Sequence, residues 1–467
     1  MEKILSGVKN IYLIGIGGVG MSGLAHLLKD KGFNVSGSDI GVSPYLEMIQ
    51  EKGIKVSIGH RTENITDDIN LIGYSSAIKE DNPEIIEARR RDITVLKRAE
   101  LLGLLSWDKK IIAVAGSHGK TTTTSLIGYL LTSLGYQPAM FVGGLPLNFL
   151  QNAWWGKDYF VIETDESDGS FLYYSPWVSI ITNIDYEHLD YYKTIGSLRD
   201  SFLKFAYQTK EKVFGWEGDP FVREILSQVG GESFGLGENS KVRAENFRVG
   251  AARSEFDLYI DDEFITPVST HLLGENNVAN VLAAFSLFHY IGEDLERVSS
   301  MLENFKGTKR RFQIKARLGG VVFVDDYAHH PTEIKSVVRA ARYLNPKRLV
   351  VICQPHRFSR LKLLYEEFSR CFDSVDELII TDIYSASEKE NYNMSIDALK
   401  DKISKNFDGR VRYIPSSMLA RQVPYFLKEG DLCLGIGAGD INVLMEGVIE
   451  EFKRIREADG IKINNIQ

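Results

Sequence analysis

In residues 113–125, AVAGSHGKTTTTS, an apolar run is followed directly by the pattern Gly-Ser-His-Gly-Lys-Thr. In loops of this kind the backbone N–H groups surround nucleotide phosphates, a lysine neutralises the β- and γ-phosphates, and the next hydroxyl binds Mg²⁺. Lys120 and Thr121 stand at those two positions. A full Walker A pattern needs glycine in place of Val114, so only the shortened G-x-x-G-K-T core is present. The segment predicts a nucleoside triphosphate site, and the alternative is a glycine turn with an exposed lysine.

A magnesium nucleotide also needs oxygen ligands, and the acidic segment ETDESD offers them directly after the apolar run YFVI. Such a segment lies at the carboxyl edge of a parallel sheet, where the sites of α/β proteins form. Glu163 is the predicted metal ligand. A solvated acidic loop is the alternative interpretation for Asp165, Glu166 and Asp168. His188 follows the next apolar run, in TNIDYEHLD, and composition alone favours a structural role for a single histidine.

A second glycine-rich loop, IYLIGIGGVGMSG, lies near the start of the chain. Gly15, Gly17 and Gly20 satisfy G-x-G-x-x-G between a predicted strand and a predicted helix, and Asp39 ends the next strand. Backbone N–H groups at the start of such a helix bind a diphosphate, and the carboxylate suits a ribose hydroxyl. A tight turn that binds nothing, a nicotinamide cofactor site, and a helix-capping role for Asp39 remain as alternatives.

Alternating strand-like and helical segments indicate the elements that position these loops. They predict an α/β fold with three domains: a Rossmann-like N-terminal domain at 1–107, a central P-loop ATPase-type α/β domain with extra β-structure at 108–313, and a Rossmann-like C-terminal domain at 314–467. In the central domain, Asp261 and Asp262 predict a hairpin turn inside SEFDLYIDDEFITPVS.

Composition limits the class of protein. The 467 residues are 44% hydrophobic and carry a net charge of −8, which suits a multidomain globular protein and argues against a general nucleic-acid binder. Cys353, Cys371 and Cys433 are widely spaced, so they predict neither disulfides nor a zinc site and fit a reducing cytosol. The apolar stretch 11–28 contains five glycines and His26, so a strand, turn and helix explain it better than a membrane span. We therefore expect a cytoplasmic protein.

Taken together, the motifs resemble those of the Mur ligases. The segments that carry the resemblance, in chain order, are GIGGVGMSG, AGSHGKTTT, ETDESDGSF, TNIDYEHLD, GENNVANVLAA, KRRFQ, VDDYAHHPTEIK, QPHRFSR and GIGAGDI. The resemblance covers nearly the whole chain and implies a purpose for two glycine-rich loops. The first loop would hold the diphosphate of a UDP-sugar, and the second would hold ATP.

The resemblance also assigns residues to the sides of the site. The UDP-sugar side would comprise Gly15, Gly17, Gly18, Val19, Gly20, Met21, Ser22, Asp39, Ser75 and Ser76. The ATP side would comprise Gly116, Ser117, His118, Gly119, Lys120, Thr121, Thr122, Asn277, Asn280, Arg311 and Asp326. The side of the incoming amino acid would comprise His329 and His330.

Roles in the reaction follow from the same resemblance. The implied catalytic residues are Lys120, Glu163, His188, Arg311, Asp326 and His329. The implied metal ligands, for two Mg²⁺ ions, are Thr121, Glu163 and His188. Relatives usually carry histidine where this chain has Asn276, a departure that affects only a minor contact at the adenine.

Within the family, VDDYAHHPTE and ETDESD most resemble the branch that adds L-alanine to the lactyl carboxylate of UDP-N-acetylmuramate through an acyl phosphate. That branch serves peptidoglycan synthesis, and with it cell shape and division. The implied partners are these two substrates and ATP, without nucleic acid or membrane, while monomer and dimer both remain open. Three alternatives remain: a sibling ligase that attaches a recycled peptide to UDP-N-acetylmuramate, a P-loop ATPase switch, and a nicotinamide-dependent oxidoreductase.

Overall fold

The computed structural model of the protein describes residues 2–41, 43–250, 253–386, 388 and 390–458. The described residues form three β-sheets, and the chain divides into two compact units. The first unit comprises 1–247, 256–269 and 277–307, and the second comprises 248–255, 270–276 and 308–467.

The N-terminal sheet contains five parallel strands. They are β1 Asn10–Ile14, β2 Asn34–Asp39, β3 Lys55–Ile58, β4 Leu71–Tyr74 and β5 Thr94–Lys97. The helices of this part are α1 Glu2–Leu5, α2 Val19–Asp30, α3 Pro44–Glu51, α4 Pro83–Arg90 and α5 Arg98–Leu105. The strand order β3-β2-β1-β4-β5 reverses direction between β1 and β4, and ligands of such sheets bind in the crevice at that point. The loops after β1 and β4 are therefore in the position predicted for a ligand.

The central sheet contains ten strands. They are β6 Lys110–Ala115, β7 Ala139–Phe141, β8 Ala153–Trp154, β9 Tyr159–Glu163, β10 Val178–Ile181, β11 Lys212–Trp216, β12 Glu232–Gly235, β13 Val242–Gly250, β14 Arg253–Ile260 and β15 Glu263–Thr270. The helices are α6 Lys120–Leu134, α7 Leu189–Tyr192, α8 Ile195–Tyr207, α9 Pro220–Val229, α10 Glu275–Tyr290 and α11 Leu295–Met301. Strand β6 lies between β9 and β10 and runs parallel to both. The segments after these three strands therefore meet at one edge of the sheet.

The extra β-structure predicted for the central domain is the run β12 to β15. Asp261 and Asp262 join β14 to β15 with φ values of 49° and 68°. Left-handed backbone at both turn residues matches the twist of the flanking strands, which is why Asp, Asn and Gly are favoured there. The predicted hairpin is confirmed.

The C-terminal sheet lies in the second unit. Its strands are β16 Gln313–Leu318, β17 Val321–Asp326, β18 Arg348–Cys353, β19 Glu377–Ile380, β20 Arg410–Tyr413 and β21 Asp431–Ile436. Its helices are α12 Pro331–Arg342, α13 Phe358–Leu363, α14 Tyr365–Phe368, α15 Ile396–Ser404, α16 Leu419–Gln422 and α17 Ile441–Ala458. The order is β16-β17-β21-β18-β19-β20, and only the edge strand β16 is antiparallel to its neighbour. Hydrophobic clusters cover both faces of this sheet, as parallel strands require.

One buried hydrophobic cluster runs through the N-terminal and central parts of the first unit and includes Leu24 of α2 and Phe141 of β7. The two glycine-rich loops are thus carried by elements that share a core. Within the described residues, no helix is both long and apolar enough to cross a bilayer. The predicted fold class is confirmed, while the domain boundaries stay predictions.

Candidate active site

The loop after β6 has the backbone of a phosphate-binding site. Gly119 begins α6 with φ 85°, and a side chain there would place its Cβ atom 2.5 Å from Asn280 Oδ1. Both observations explain the glycine. No side chain of the described residues caps α6 at this end, so the amide groups of its first turn face outward for an anion. Lys120, Thr121 and Thr122 form that first turn.

Lys120 lies across its own loop. Its ammonium group donates to the carbonyl of Gly116, to the carbonyl of Ser117 at 3.2 Å, and to Glu166 Oε1 at 2.8 Å. Burial by itself would lower the pKa of Lys120, but the carboxylates around it, with Glu166 first, outweigh burial and raise that pKa. Glu166 is only 1% exposed. The solvated-loop alternative is therefore wrong for Glu166.

The predicted metal ligands Thr121 and Glu163 lie side by side. Thr121 Oγ1 donates to Glu163 Oε1 at 2.9 Å, and the Gly143 amide donates to Glu163 Oε2 at 2.6 Å. Glu163 is the last residue of β9 and pairs in register with Val114 of β6, which explains why its carboxylate reaches the start of α6.

His188, predicted to help hold the second metal, approaches two carboxylates. Its Nε2 atom lies 3.4 Å from Glu166 Oε1 and 3.7 Å from Glu187 Oε2. Burial would lower the pKa of His188, yet the hydrogen bond and charge of Glu166 raise it. The backbone of His188 is left-handed, with φ 57°, a strained state that is concentrated at functional sites.

Two carboxylate oxygens beside Lys120 have no hydrogen-bond partner in the described part of the chain. They are Glu166 Oε2 and Glu187 Oε1, and both are buried. Glu166, Glu187 and His188 bring three ligand atoms within 4.8 Å of one another. Oxygen and imidazole ligands suit a divalent cation, so these residues fit the Mg²⁺ that the sequence predicts.

The segment after β10 forms hydrogen bonds with the phosphate loop. The Asn183 amide oxygen accepts from the His118 amide at 2.9 Å, and Ser117 Oγ accepts from the Asp185 amide at 2.8 Å. His118 Nε2 lies 3.0 Å from Asp185 Oδ2. Asn183 and Asp185 were missed by sequence reasoning, although both belong to TNIDYEHLD, and their position directly after a buried strand was the available signal.

The two asparagines predicted on the ATP side lie together. Asn280 accepts from Thr123 Oγ1 at 3.1 Å and donates to Asn277 Oδ1 at 3.2 Å. Asn276 belongs to the second unit, where its amide donates to Ser336 Oγ at 2.8 Å.

The first glycine-rich loop, with the predicted UDP-sugar residues 15–22, connects β1 to α2. Gly18 begins α2 without a side-chain cap in the described chain, which leaves this end open to an anion. Met21 and Ser22 are buried. Ser75, next to β1, donates its amide to the carbonyl of Ile14 at 3.2 Å, and Ser76 follows it in an exposed position.

Asp39 shapes this loop. Its Oδ2 atom accepts from the Gly17 amide at 2.8 Å, and its Oδ1 atom accepts from the Ile40 amide at 2.8 Å. Ser43 is the N-cap residue of α3, so Asp39 does not cap that helix. The ribose role of Asp39 stays a prediction.

Arg98, at the start of α5, was also missed by sequence reasoning. A Cβ atom on Gly20 would lie 2.0 Å from its guanidinium, and that guanidinium donates to Asp165 Oδ2 at 3.0 Å. Burial opposes the charge of Arg98, but Asp165 outweighs it and raises the pKa of Arg98. Arg98 therefore links the first glycine-rich loop to the acidic segment after β9, and Asp165, whose side chain is partly exposed, is its ion-pair partner.

In the second unit, the end of β17 and the start of α12 hold the remaining predicted residues. His330 caps α12, and Glu333 completes the cap by accepting from the amides of His329 and His330 at 3.1 and 3.3 Å. Arg311 lies 3.9 Å from Glu333 and over the ring of Tyr327 at 5.2 Å.

His329 is held as a neutral imidazole. Its Nδ1 atom lies 3.1 Å from the carbonyl of Tyr327, which can only accept, so Nδ1 carries the hydrogen and Nε2 keeps a lone pair. Burial lowers the pKa of His329 to about 3.

Asp326 accepts from the amides of Phe312 at 2.6 Å and Ala328 at 2.7 Å. Burial raises the pKa of Asp326 to about 6, although Arg311 and these amides oppose the rise. An unfolded aspartate ionises near pH 3.9. The stability that this carboxyl contributes is therefore present below about pH 4 and lost as the pH rises through 6.

Asp326→Asn removes this titration. The free energy of unfolding of the variant, relative to the natural protein, is expected to rise by about 2–3 kcal/mol between pH 4 and pH 8. Denaturant unfolding at the two pH values measures it, and any constant effect of the amide cancels in the difference. If the free energy of unfolding of the variant differs from that of the natural protein by the same amount at pH 4 and pH 8, the result would contradict the raised pKa of Asp326.

Comparison with known proteins places this geometry in one family. Three family models match in succession: the Mur ligase family catalytic domain at 10–110, the Mur ligase middle domain at 114–288, and the Mur ligase glutamate ligase domain at 310–439. The UDP-N-acetylmuramate–L-alanine ligase of Syntrophus aciditrophicus is 38% identical over 97% of this chain and 95% of its own length. That of Desulfotalea psychrophila is 43% identical over 92% of this chain and 96% of its own length.

A solved structure agrees with these sequence relatives. The UDP-N-acetylmuramate-alanine ligase of Thermotoga maritima has a TM-score of 0.83 and 28% identity, covering 96% of this chain and 100% of that chain.

Proposed function

The chain belongs to the Mur ligase family, and we propose that it joins L-alanine to the lactyl carboxylate of UDP-N-acetylmuramate while converting ATP to ADP and phosphate. The observation that carries the proposal is the arrangement of Lys120, Thr121 and Glu163 at the ends of the adjacent strands β6 and β9. This arrangement places a cation that can bind phosphates, and oxygen ligands that can bind magnesium, at one edge of the central sheet. The relatives at 38–43% identity carry the name of the same activity, so the other ligase, switch and oxidoreductase alternatives are not favoured.

The first chemical step activates the carboxylate, which is a poor acyl donor at neutral pH. A lactyl oxygen attacks the γ-phosphorus of ATP, the bond to the β,γ-bridging oxygen breaks, and ADP leaves. Lys120 neutralises the phosphates, while Thr121 and Glu163 hold Mg²⁺, which supplies further charge neutralisation when bound. The product of this step is an acyl phosphate.

The second step forms the amide. The nitrogen of the alanine amine attacks the acyl carbon, the bond from that carbon to the phosphate oxygen breaks, and the proton that the amine loses ends on the departing phosphate. His329, neutral and with a lone pair on Nε2, accepts a hydrogen bond from the amine. Arg311 stabilises negative charge on the tetrahedral intermediate. Asp326 and the asparagines Asn277 and Asn280 serve the ATP side.

The first glycine-rich loop holds the diphosphate of the UDP-sugar through the amides at the start of α2, and Asp39 binds the ribose. Two Mg²⁺ ions serve the reaction, the second at His188. A role in peptidoglycan precursor synthesis, and hence in cell-wall growth and division, places the enzyme in the cytoplasm, where its nucleotide substrates are made.

Arg98 positions the UDP-sugar in this scheme, because its guanidinium lies against the first loop at Gly20. Arg98→Met removes a charge-assisted contact, so the KM for the UDP-sugar is expected to rise about tenfold or more while the KM for ATP changes little. Steady-state kinetics with each substrate varied in turn measures both constants. Arg89→Met, at an exposed arginine paired with Glu80, is the matched control. Equal changes in both KM values would assign Arg98 a general structural role instead.

Mass spectrometry of the product tests the proposed function. The enzyme is incubated with ATP, Mg²⁺ and UDP-N-acetylmuramate plus either L-alanine or a tripeptide from peptidoglycan. A product heavier than UDP-N-acetylmuramate by one alanine residue, formed only with alanine, supports the proposal. A product formed only with the tripeptide would assign the sibling recycling activity.

A further inference from the structure

The resting position of Lys120 leaves it no donor for a nucleotide. An ammonium group has three N–H donors. Those of Lys120 point to the carbonyls of Gly116 and Ser117 and to Glu166 Oε1. Lys120 must therefore give up at least one of these acceptors when it turns to the phosphates of ATP.

Of these three acceptors, Glu166 is the one for which losing the contact with Lys120 costs the most free energy. Its side chain is 2% exposed, and its Oε2 atom already lacks a partner among the described residues. Removing the partner of a buried charge is strongly unfavourable, because neither water nor protein then neutralises it. ATP binding through Lys120 thus requires another cation to reach Glu166.

The surroundings of Glu166 provide a place for that cation. Glu187 and His188 bring ligand atoms within 4.8 Å of Glu166, and Glu187 Oε1 is also buried without a partner in the described chain. Glu163, the last residue of β9 and part of the same acidic segment as Glu166, adds a third carboxylate around Lys120. Carboxylate oxygens and an imidazole form a ligand set for a divalent cation.

We propose that Glu166 is an exchange residue: it binds Lys120 in the nucleotide-free protein and binds a divalent cation, together with Glu187 and His188, once Lys120 has moved to the phosphates of ATP. Nucleotide binding and cation binding are then coupled through one buried carboxylate. The inference rests on the proposed binding of ATP to this loop, and it predicts that the nucleotide binds more weakly without metal for a reason beyond the charge of the nucleotide itself.

The test measures nucleotide affinity rather than turnover. Isothermal titration calorimetry with adenosine 5′-(β,γ-imido)triphosphate gives Kd in EDTA and in excess Mg²⁺. In Glu166→Gln, Lys120 is no longer held by a buried charge, so Kd in EDTA is expected to fall about tenfold or more. Kd in Mg²⁺ is expected to rise, because a ligand is lost. Asp168→Asn, which removes a carboxylate from the same segment outside the cluster, should leave both values unchanged.

A second variant separates the two halves of the exchange. Glu187→Gln leaves the Lys120–Glu166 pair intact, so Kd in EDTA should not change while Kd in Mg²⁺ rises about tenfold. Should Glu166→Gln fail to fold, an unchanged Kd in Mg²⁺ for Glu187→Gln would overturn the proposal.

If Glu166→Gln folds, a Kd in EDTA equal to or higher than that of the natural protein would overturn the proposal. Failure of the natural protein to bind the nucleotide even with Mg²⁺ would instead contradict the proposed function.

Discussion

Lys120→Ala is expected to lower turnover roughly a thousandfold while leaving the binding of the UDP-sugar intact. The reason is the position of Lys120 at the start of α6, where its ammonium donates to the carbonyls of Gly116 and Ser117 within the phosphate-binding loop. The diphosphate of the UDP-sugar binds the other glycine-rich loop, which the substitution does not touch. ADP formation by a coupled assay measures turnover, and calorimetric titration measures the UDP-sugar affinity.

Lys110→Ala is the matched control for this prediction. Lys110 stands at the opposite end of β6, is exposed, and lies over the ring of Trp177 at 4.8 Å. Its loss should change turnover little. If the turnover of Lys120→Ala stays within about tenfold of that of the natural protein, the phosphate loop does not take part in the reaction.

Glu163→Gln is expected to lower turnover roughly a hundredfold or more and to raise the Mg²⁺ concentration needed for half-maximal rate. The amide keeps the size of the side chain and one acceptor for Thr121 or Gly143, but it removes the negative charge that a magnesium ligand supplies. A magnesium titration of ADP formation shows both effects.

The control for Glu163 lies at the other end of the same strand. Asp158 precedes β9, is exposed, and accepts from the Gln137 amide at 2.7 Å. Asp158→Asn should leave the magnesium dependence unchanged. An equal magnesium requirement in Glu163→Gln and the natural protein would show that this carboxylate is not a metal ligand.

Sequence reasoning succeeded for the fold because the signals were local. Apolar runs of four to six residues ended in glycine-rich or acidic segments, which is how buried parallel strands and their loops appear in a sequence. The turn at Asp261 and Asp262 was readable for the same reason.

Part of the site could be predicted by one further rule. The carboxyl ends of parallel strands meet at one edge, so Glu163 was expected beside the phosphate loop, and it lies 2.9 Å from Thr121. The rule predicts at which edge of the sheet these side chains lie, but it does not predict which of them contact one another. His188 was predicted to help hold the second metal, which stays a prediction, and the carboxylates it approaches are Glu166 and Glu187.

Contacts that depend on the packing of distant elements left no signal in the sequence. Arg98 reaches Asp165 across a separation of 67 residues because α5 packs against the first glycine-rich loop. Glu166 was open to two interpretations because an acidic run reads the same whether it is solvated or buried. Only its burial and its ion pair with Lys120 decide between them.

ADP release from ATP and Mg²⁺, with each substrate omitted in turn, tests the proposed ligase activity most directly. We expect release that requires both UDP-N-acetylmuramate and L-alanine, because the acyl phosphate forms only on the sugar carboxylate and turns over only with the amine. Release that continues without the sugar nucleotide, or that does not respond to alanine, would contradict the proposed ligase activity.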